Sequence, residues 1–231
     1  MLIITGTGRS GTGMLARLFS GHHEFRANWI LDKYCGRPEP DRPPFDSFDT
    51  RIRAVLDLHQ GIDPSCFVDA SNLYVHLLDA VWVLNPTARF ILGVRDGRDF
   101  VRSAITRGWH SRRSFDLYPP QNSPYRARWG GMSPVERAAW IWTHRNNIAT
   151  AMLARIPAGH WRIIRVEDLD EAGLRELEAF SGHMIRDRRA VEGRINANPA
   201  QNFPPAAKWS EADKKGFEKI AGTMMSRLGY S

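Results

Sequence analysis

The sequence predicts an α/β fold of three layers, α/β/α, with a central parallel sheet. Strand-like and helix-like segments alternate along the 231 residues, as they do where helices cover both faces of a parallel sheet. A glycine-rich loop joins the first strand-like segment to the first helix-like one. The chain is long enough to bury a sizeable core and shows no repeat or linker, so we expect residues 1–231 to form a single domain.

The expected strands are short apolar segments. LIIT, at residues 2–5, precedes the glycine loop, and RFILGV, at 89–94, gives the clearest strand pattern. CFVDAS, at 66–71, is a further candidate. WRIIRVEDL, at 161–169, is predicted as a strand that runs into a polar turn.

The expected helices follow from apolar periodicity and from terminal signals. Over 133–157, Ser133 is expected to cap the helix, Pro134 suits its first turn and Glu136 completes a capping box. Ser210 is expected to cap the last helix, over 210–229, and Gly229 to end it. The other expected helices cover residues 14–19, 72–84 and 98–109.

Three stretches, 34–50, 108–131 and 195–208, have no clear periodicity. Long loops in a compact domain are often binding loops or lids. The middle stretch carries arginine, tyrosine and tryptophan residues, which favours it for contact with a substrate.

Composition narrows the function classes. The net charge is +7, and most of the 32 basic residues are arginine, so an anionic ligand is expected. Cys35 and Cys66 form neither a disulfide framework nor a metal-binding spacing. No apolar run approaches about 20 residues, and a strand is expected from residue 2, so we expect a soluble, cytoplasmic protein. We also expect no bound metal.

The glycine loop, TGTGRSGTGML at residues 5–15, allows three interpretations. A nucleoside triphosphate loop, G-x-x-x-x-G-K-S/T, matches its glycine spacing, but Thr12 replaces the lysine and Gly13 the hydroxyl residue. A dinucleotide fold matches the G-x-G-x-x-G pattern, with Asp32 as its acidic residue. In the third interpretation Arg9 supplies a cation from within the loop, while backbone N–H groups at a helix N-terminus hold an anion.

With Arg9, the loop resembles the 5′-phosphosulfate loop of sulfotransferases that use 3′-phosphoadenosine 5′-phosphosulfate (PAPS). A second motif, ILGVRDGRDFVRSAITR at 91–107, resembles the block of tyrosylprotein sulfotransferases and their bacterial relatives in which an arginine, and a serine eight residues later, hold the 3′-phosphate. Here these residues are Arg95 and Ser103, and Arg107 follows one helical turn later. The segments 162–169 and 208–230 also resemble the family, and Lys208 falls in its Lys-Trp pair.

The resemblance implies a P-loop NTPase-like sulfotransferase fold and in-line, metal-independent sulfuryl transfer from PAPS, which leaves adenosine 3′,5′-bisphosphate. The acceptor would be a hydroxyl or amine of a small molecule, carbohydrate or peptide. Arg9 would steady the bridging oxygen of the leaving group. The loop residues that would cradle the 5′-phosphate are Ser10, Gly11, Thr12 and Gly13.

The general base is where the sequence departs from the family. The glutamate of tyrosylprotein sulfotransferases is missing from residues 26–34, and the strand-end lysine of other members is replaced in VDASN, at 68–72. Asp69 is the first candidate because a strand end would direct it at the loop. Asp32 is the second, and His22, His59 and His110 follow.

Alternatives from other classes remain open at this stage. A kinase-like P-loop protein and a Rossmann NAD(P)-binding protein share the general fold. A basic nucleic-acid-binding module is supported only by charge and tryptophan content, because no nucleic-acid-binding motif is present.

Overall fold

The computed structural model describes residues 1–19, 22–23, 33–34, 41, 45, 47–191 and 203–230. Within these residues a five-stranded, wholly parallel sheet has the order β2-β3-β1-β4-β5. The central strand β1 is the one that leads into the glycine loop. The strands are β1 (Leu2–Gly6), β2 (His22–His23), β3 (Val68–Ala70), β4 (Arg89–Val94) and β5 (Trp161–Arg165).

Helices connect the strands and cover both faces of the sheet. They are α1 (Thr12–Leu18), α2 (Phe48–Leu58), α3 (Leu78–Leu84), α4 (Gly97–Thr106), α5 (Pro134–Leu153), α6 (Glu171–Ser181) and α7 (Glu211–Arg227). Among the described helices, none is both long enough and apolar enough to cross a membrane.

Alternation along β1 divides the core into two layers. Leu2 and Ile4 pack with apolar side chains of α1 and α6 on one face of the sheet. Ile3 points to the opposite face and packs in a larger cluster that includes α2, α3, α4, α5 and α7. Successive strand residues point to opposite faces, so this division confirms the predicted three-layer fold with its parallel sheet.

The predicted terminal signals of two helices are confirmed. Ser133 Oγ accepts a hydrogen bond from Glu136 N at 3.3 Å, and Glu136 Oε2 accepts one from Ser133 N at 2.8 Å. At the start of α7, Ser210 Oγ accepts a hydrogen bond from Asp213 N at 3.1 Å. These bonds satisfy N–H groups that lack a partner within the helix.

The single helix predicted over 72–84 is wrong. Residues Asn72–His76 form a 3-10 helix, and α3 starts only after Leu77, whose φ of −121° interrupts the helical backbone. Ser71 starts the first segment, because its side chain accepts a hydrogen bond from Leu73 N at 3.2 Å. The break turns His76 toward the stretch 108–131, which contains only 3-10 turns as regular structure.

Three elements were not predicted. Strand β2 has only two residues, too few to give a pattern. Helix α2 begins inside a stretch predicted to be irregular, where Ser47 caps it by accepting a hydrogen bond from Thr50 N at 3.1 Å. Helix α6 follows the polar turn after β5 and is capped by Asp170, whose side chain accepts a hydrogen bond from Gly173 N at 2.8 Å.

Candidate functional site

The loop between β1 and α1 is built from left-handed backbone. Gly8, Arg9 and Gly11 have φ values of 72°, 57° and 82°. Turns that combine left- and right-handed residues point successive N–H groups into a concave surface, which suits an anion. Arginine is disfavoured in this conformation, so the strained backbone at Arg9 marks a functional candidate.

Two glycines of this loop cannot be replaced without displacing their neighbours. A Cβ atom on Gly6 would lie 2.1 Å from Ser10 Oγ and 2.9 Å from the carbonyl oxygen of Gly93. A Cβ atom on Gly11 would lie 2.8 Å from Val166 Cγ1. The loop is therefore packed closely between β4 and the turn after β5.

Three hydroxyl side chains of the loop are buried. Thr7, Ser10 and Thr12 are 2%, 0% and 6% exposed. Among the described residues none of their hydroxyl oxygens has a hydrogen-bond partner. Buried polar groups nearly always have partners, so these donors suit an anionic oxygen held by the loop, as the 5′-phosphate of PAPS would be.

Arg9 joins the loop to the second predicted motif. Its Nε donates a hydrogen bond to Ser103 Oγ at 3.0 Å, across 94 residues of sequence. Ser103 is 8% exposed and lies in α4. The structure thus brings together a residue predicted for the 5′-phosphosulfate and one predicted for the 3′-phosphate.

Arg95 and Arg107 lie beyond opposite ends of α4. Arg95 follows β4, donates a hydrogen bond to Asp99 Oδ2 at 3.1 Å, and its side chain is 33% exposed. Its carbonyl oxygen accepts a hydrogen bond from Trp142 Nε1 at 3.1 Å. Arg107 is exposed at the end of α4. The Arg95 side chain is therefore held near the start of α4, while that of Arg107 faces solvent at the far end.

Lys208 lies on a segment that is fixed to α4. Arg102 Nε donates a hydrogen bond to the carbonyl oxygen of Phe203 at 2.9 Å, and the segment then forms the 3-10 turn Ala206–Lys208. Trp209 is buried, and its Nε1 donates to the carbonyl oxygen of Pro204 at 3.1 Å. The Lys208 side chain is exposed beside this anchor.

Asp69 does not have the orientation expected for it. It lies one residue before the end of β3, aligned with Ile3, and is only 5% exposed. Its Oδ2 accepts a hydrogen bond from the Tyr74 hydroxyl at 2.7 Å, and its Oδ1 accepts one from Ala70 N at 2.8 Å. Both carboxylate oxygens are therefore engaged inside the helix layer beneath the sheet.

The remaining candidate bases are only partly described. Asp32 and the side chain of His22 lie outside the described residues. His59 Nε2 lies 3.3 Å from the Tyr74 hydroxyl. Burial and the nearby Arg137 guanidinium lower the pKa of His110, so its imidazole is neutral at physiological pH.

Sequence reasoning missed a buried charged cluster beside the loop. Asp116 is 4% exposed, and its Oδ2 accepts a hydrogen bond from His76 Nε2 at 2.9 Å. Arg145 Nε lies 3.8 Å from the same oxygen, and Arg145 Nη1 donates to the carbonyl oxygen of Thr7 at 2.5 Å. His144 Nε2 lies 3.9 Å from Asp116 Oδ1. The adjacent His144-Arg145 pair, which follows the apolar run at 138–142 in α5, was the available sequence signal.

The cluster keeps its carboxylate ionised. Burial alone would raise the pKa of Asp116, but His76, Arg145 and His144 together hold that pKa below its ordinary value. Burial lowers the pKa of His144 against the opposing charge of Asp116, and Arg145 and His76 lower it further. Near neutral pH the cluster therefore contains an ionised carboxylate beside a neutral His144 imidazole.

A separate cleft of about 280 Å³ lies along the edge strand β5 and α6. It is lined by residues such as Arg162, Asp168 and Phe180, and none of the sequence-predicted site residues is part of its lining. Among the described residues, no group of three or more histidine, cysteine or acidic side chains is placed to hold a metal ion.

These features define a parallel α/β protein with a closely packed, left-handed glycine loop after its central strand. The chain is similar over its full length to the solved sulfotransferase domain from the curacin biosynthetic pathway, with 16% identity, 98% coverage of that chain and a TM-score of 0.58. It is also similar to a sulfotransferase from Alicyclobacillus acidocaldarius, with 16% identity, a TM-score of 0.54 and coverage of 98% of this chain and 93% of that one. No protein-family model and no curated protein matches the chain. The protein therefore has the P-loop NTPase-like fold of sulfotransferases, as the sequence motifs predicted.

Proposed function

We propose that this protein is a sulfotransferase that moves a sulfuryl group from PAPS to a hydroxyl or amine of an acceptor. The observation that carries the proposal is the hydrogen bond from Arg9 to Ser103. It joins the glycine loop to α4, the helix of the second motif. A donor with phosphate groups at its 5′ and 3′ positions would need the loop for the first phosphate and the helix for the second. The fold shared with two sulfotransferases supports the proposal.

The donor would supply an activated sulfuryl group. The described residues of the chain include cations and N–H donors that suit the negative charges of its phosphate groups. The N–H groups of residues 10–13 and the hydroxyls of Ser10 and Thr12 would hold the 5′-phosphate. Arg9 would stabilise negative charge on the bridging oxygen as the leaving group departs, because charge accumulates there in an in-line transfer. The residues proposed for the 3′-phosphate are Arg95, Ser103, Arg107 and Lys208.

Ligand-induced stabilisation tests the proposal without knowledge of the acceptor. Adenosine 3′,5′-bisphosphate, without Mg²⁺, should raise the melting temperature. At one hundred times its Kd the gain is about 2.7 kcal/mol, which corresponds to roughly 5–10 °C for a chain of this size. Stabilisation by ATP with Mg²⁺, by NAD(P) or by an oligonucleotide in its place would instead support a kinase-like, Rossmann or nucleic-acid-binding protein.

A variant pair links that binding to the proposed site. Ser103→Ala removes the hydroxyl that Arg9 contacts, so it should weaken binding of the bisphosphate by roughly tenfold, as expected for one hydrogen bond to a charged group. Ser226→Ala alters an exposed position of α7 and serves as the control. Equal affinities of the two variants, measured by calorimetry, would remove Ser103 from the site. A screen of acceptors with labelled PAPS would then identify the second substrate.

A further inference from the structure

The peptide unit between Arg95 and Asp96 joins β4 to α4 and is held from both sides. Its carbonyl oxygen accepts a hydrogen bond from Trp142 Nε1 at 3.1 Å. Its N–H, which belongs to Asp96, donates to Glu167 Oε1 at 2.8 Å. A trans peptide unit is planar, and its C=O and N–H groups point in opposite directions. The two bonds therefore fix the rotation of this plane, and with it the backbone from which the Arg95 side chain extends.

Glu167 reaches this peptide unit from the turn that follows β5. Arg165, the last residue of β5, is aligned with Val94, the last residue of β4. This register places the 3-10 turn Val166–Asp168 beside the start of α4. A hydrogen bond from a backbone N–H to a carboxylate is charge-assisted and stronger than one between neutral groups. Glu167 thus holds the start of α4 from 71 residues further along the chain.

Tyr230 orients the carboxylate of Glu167. The Tyr230 hydroxyl donates a hydrogen bond to Glu167 Oε2 at 3.0 Å, and the Arg165 guanidinium lies 5.4 Å from the centre of the Tyr230 ring. Burial and the charge of Glu167 raise the pKa of Tyr230, so its hydroxyl stays protonated and remains a donor. The segments 162–169 and 208–230, whose sequences both resemble sulfotransferases, meet in this contact.

The same turn also contacts the glycine loop. Val166 packs against Gly11, where a Cβ atom would lie 2.8 Å from Val166 Cγ1. The next residue, Glu167, accepts the hydrogen bond from Asp96 N. Adjacent residues of one turn therefore contact both predicted motifs: the loop proposed for the 5′-phosphate and the turn that carries Arg95.

We propose that Glu167 is a positioning residue for the 3′-phosphate of PAPS, because it fixes the peptide unit that directs the Arg95 side chain. This inference rests on the proposed sulfotransferase function. Glu167 does not bind the phosphate itself, since the two groups are both anionic and repel each other. It acts through Asp96 N, and Tyr230 supports it by holding the other carboxylate oxygen.

The charge of Glu167 and its hydrogen bond predict opposite effects of a substitution. Because like charges repel, loss of a carboxylate near an anion site would by itself strengthen binding of adenosine 3′,5′-bisphosphate. Loss of the bond to Asp96 would free the peptide unit, so that Arg95 would have to be ordered when the ligand binds, which weakens binding. The sign of the change therefore distinguishes a positioning residue from a nearby surface charge.

Calorimetry with two ligands that differ only in the 3′-phosphate tests the inference. Glu167→Ala should weaken binding of adenosine 3′,5′-bisphosphate by roughly tenfold, the effect of one hydrogen bond to a charged group, while the affinity for AMP changes little. Glu167→Gln keeps a carbonyl oxygen for Asp96 N and should bind the bisphosphate as tightly as the wild type. Glu176→Ala, which removes an exposed carboxylate of α6, is the control and should not weaken binding. In an Arg95→Ala background, Glu167→Ala should cause almost no further loss.

The results separate failure of the inference from failure of the function beneath it. If the wild-type protein binds AMP as tightly as adenosine 3′,5′-bisphosphate, the proposed function fails, and the inference fails with it. If the wild type prefers the bisphosphate, but Glu167→Ala leaves this preference unaltered or weakens both ligands by the same factor, only the inference is overturned. Should Glu167→Ala lose its native circular dichroism, Tyr230→Phe decides. It removes one bond to the carboxylate and should weaken bisphosphate binding by roughly threefold, and an unaltered affinity in that variant also overturns the inference.

Discussion

The backbone at Arg9 offers a test in which stability and activity must respond differently. Arg9 has a φ of 57°, so replacement by alanine keeps a Cβ atom in the left-handed region, whereas replacement by glycine removes it. Both variants lose the guanidinium and its hydrogen bond to Ser103. The difference in free energy of unfolding between them therefore reports the backbone alone.

The size of that difference follows from two opposing contributions. Left-handed backbone costs a residue with a Cβ atom about 1–2 kcal/mol, which favours glycine. The greater freedom of glycine in the unfolded chain costs about 0.4–1 kcal/mol, which favours alanine. Arg9→Gly should thus be more stable than Arg9→Ala by roughly 1 kcal/mol, or about 2–4 °C in Tm for a chain of this size.

Activity should not follow this stability. Both variants should lower kcat by at least ~10²-fold, because each removes the same charge-stabilising donor, while the KM for PAPS changes less. Thermal unfolding and steady-state transfer assays measure the two effects. At Glu176, exposed in the middle of α6, the order should reverse, with the alanine variant more stable than the glycine variant by about 1 kcal/mol. If the alanine variant were also the more stable one at Arg9, or if either Arg9 variant had a normal kcat, the reasoning would be refuted.

Three further predictions concern the loop and the 3′-phosphate. The wild-type protein should prefer adenosine 3′,5′-bisphosphate over AMP by an expected ~100-fold, and Arg95→Ala should remove most of this preference. Calorimetry measures the affinities after circular dichroism has verified the fold of the variant. Equal affinities of the wild type for the two ligands would contradict the site. Lys208→Ala should weaken binding of the bisphosphate, whereas Lys215→Ala, at an exposed position of α7, should not; identical affinities would leave Lys208 outside the site. Gly11→Ala should destabilise the fold by roughly 2–4 kcal/mol, because its φ is 82° and its Cβ would lie 2.8 Å from a side-chain carbon. Gly130→Ala is the control, because a Cβ atom there would meet none of the described residues within 4 Å apart from its chain neighbours, and equal melting temperatures would show that the loop can adjust.

The features that the sequence predicted well are those set by neighbouring residues. The capping box at Ser133 and the cap at Ser210 need only three or four residues, and both are confirmed. The parallel sheet followed from alternation of apolar segments, and the glycine loop from its spacing. The break at Leu77 could not be predicted from the apolar pattern of 72–84. That pattern suits one continuous α-helix as well as it suits a 3-10 turn followed by a shorter α-helix.

The buried charged cluster beside the glycine loop was hidden because its contacts are distant in sequence. His76 and Asp116 meet across 40 residues, and Arg145 and Thr7 across 138. Asp69 was ranked first as a base because it lies near the end of a strand, yet a local hydroxyl, that of Tyr74, occupies its carboxylate. The orientation of a side chain in a sheet depends on register and on the layer that covers it, and neither can be derived from a single sequence.

The glycine loop carries two unfavourable features that a single ligand would offset. Arg9 is held in left-handed backbone, and the hydroxyls of Thr7, Ser10 and Thr12 are buried without partners among the described residues. Each unpaired buried hydroxyl costs roughly 1–3 kcal/mol, so a fold that only had to be stable would replace them with alanine or valine. A phosphate oxygen would accept from these hydroxyls and would be attracted by Arg9. The residues that destabilise the free loop are therefore the ones expected to make its anion binding strong, and replacing Ser10 by alanine should stabilise the free protein while weakening the bisphosphate complex.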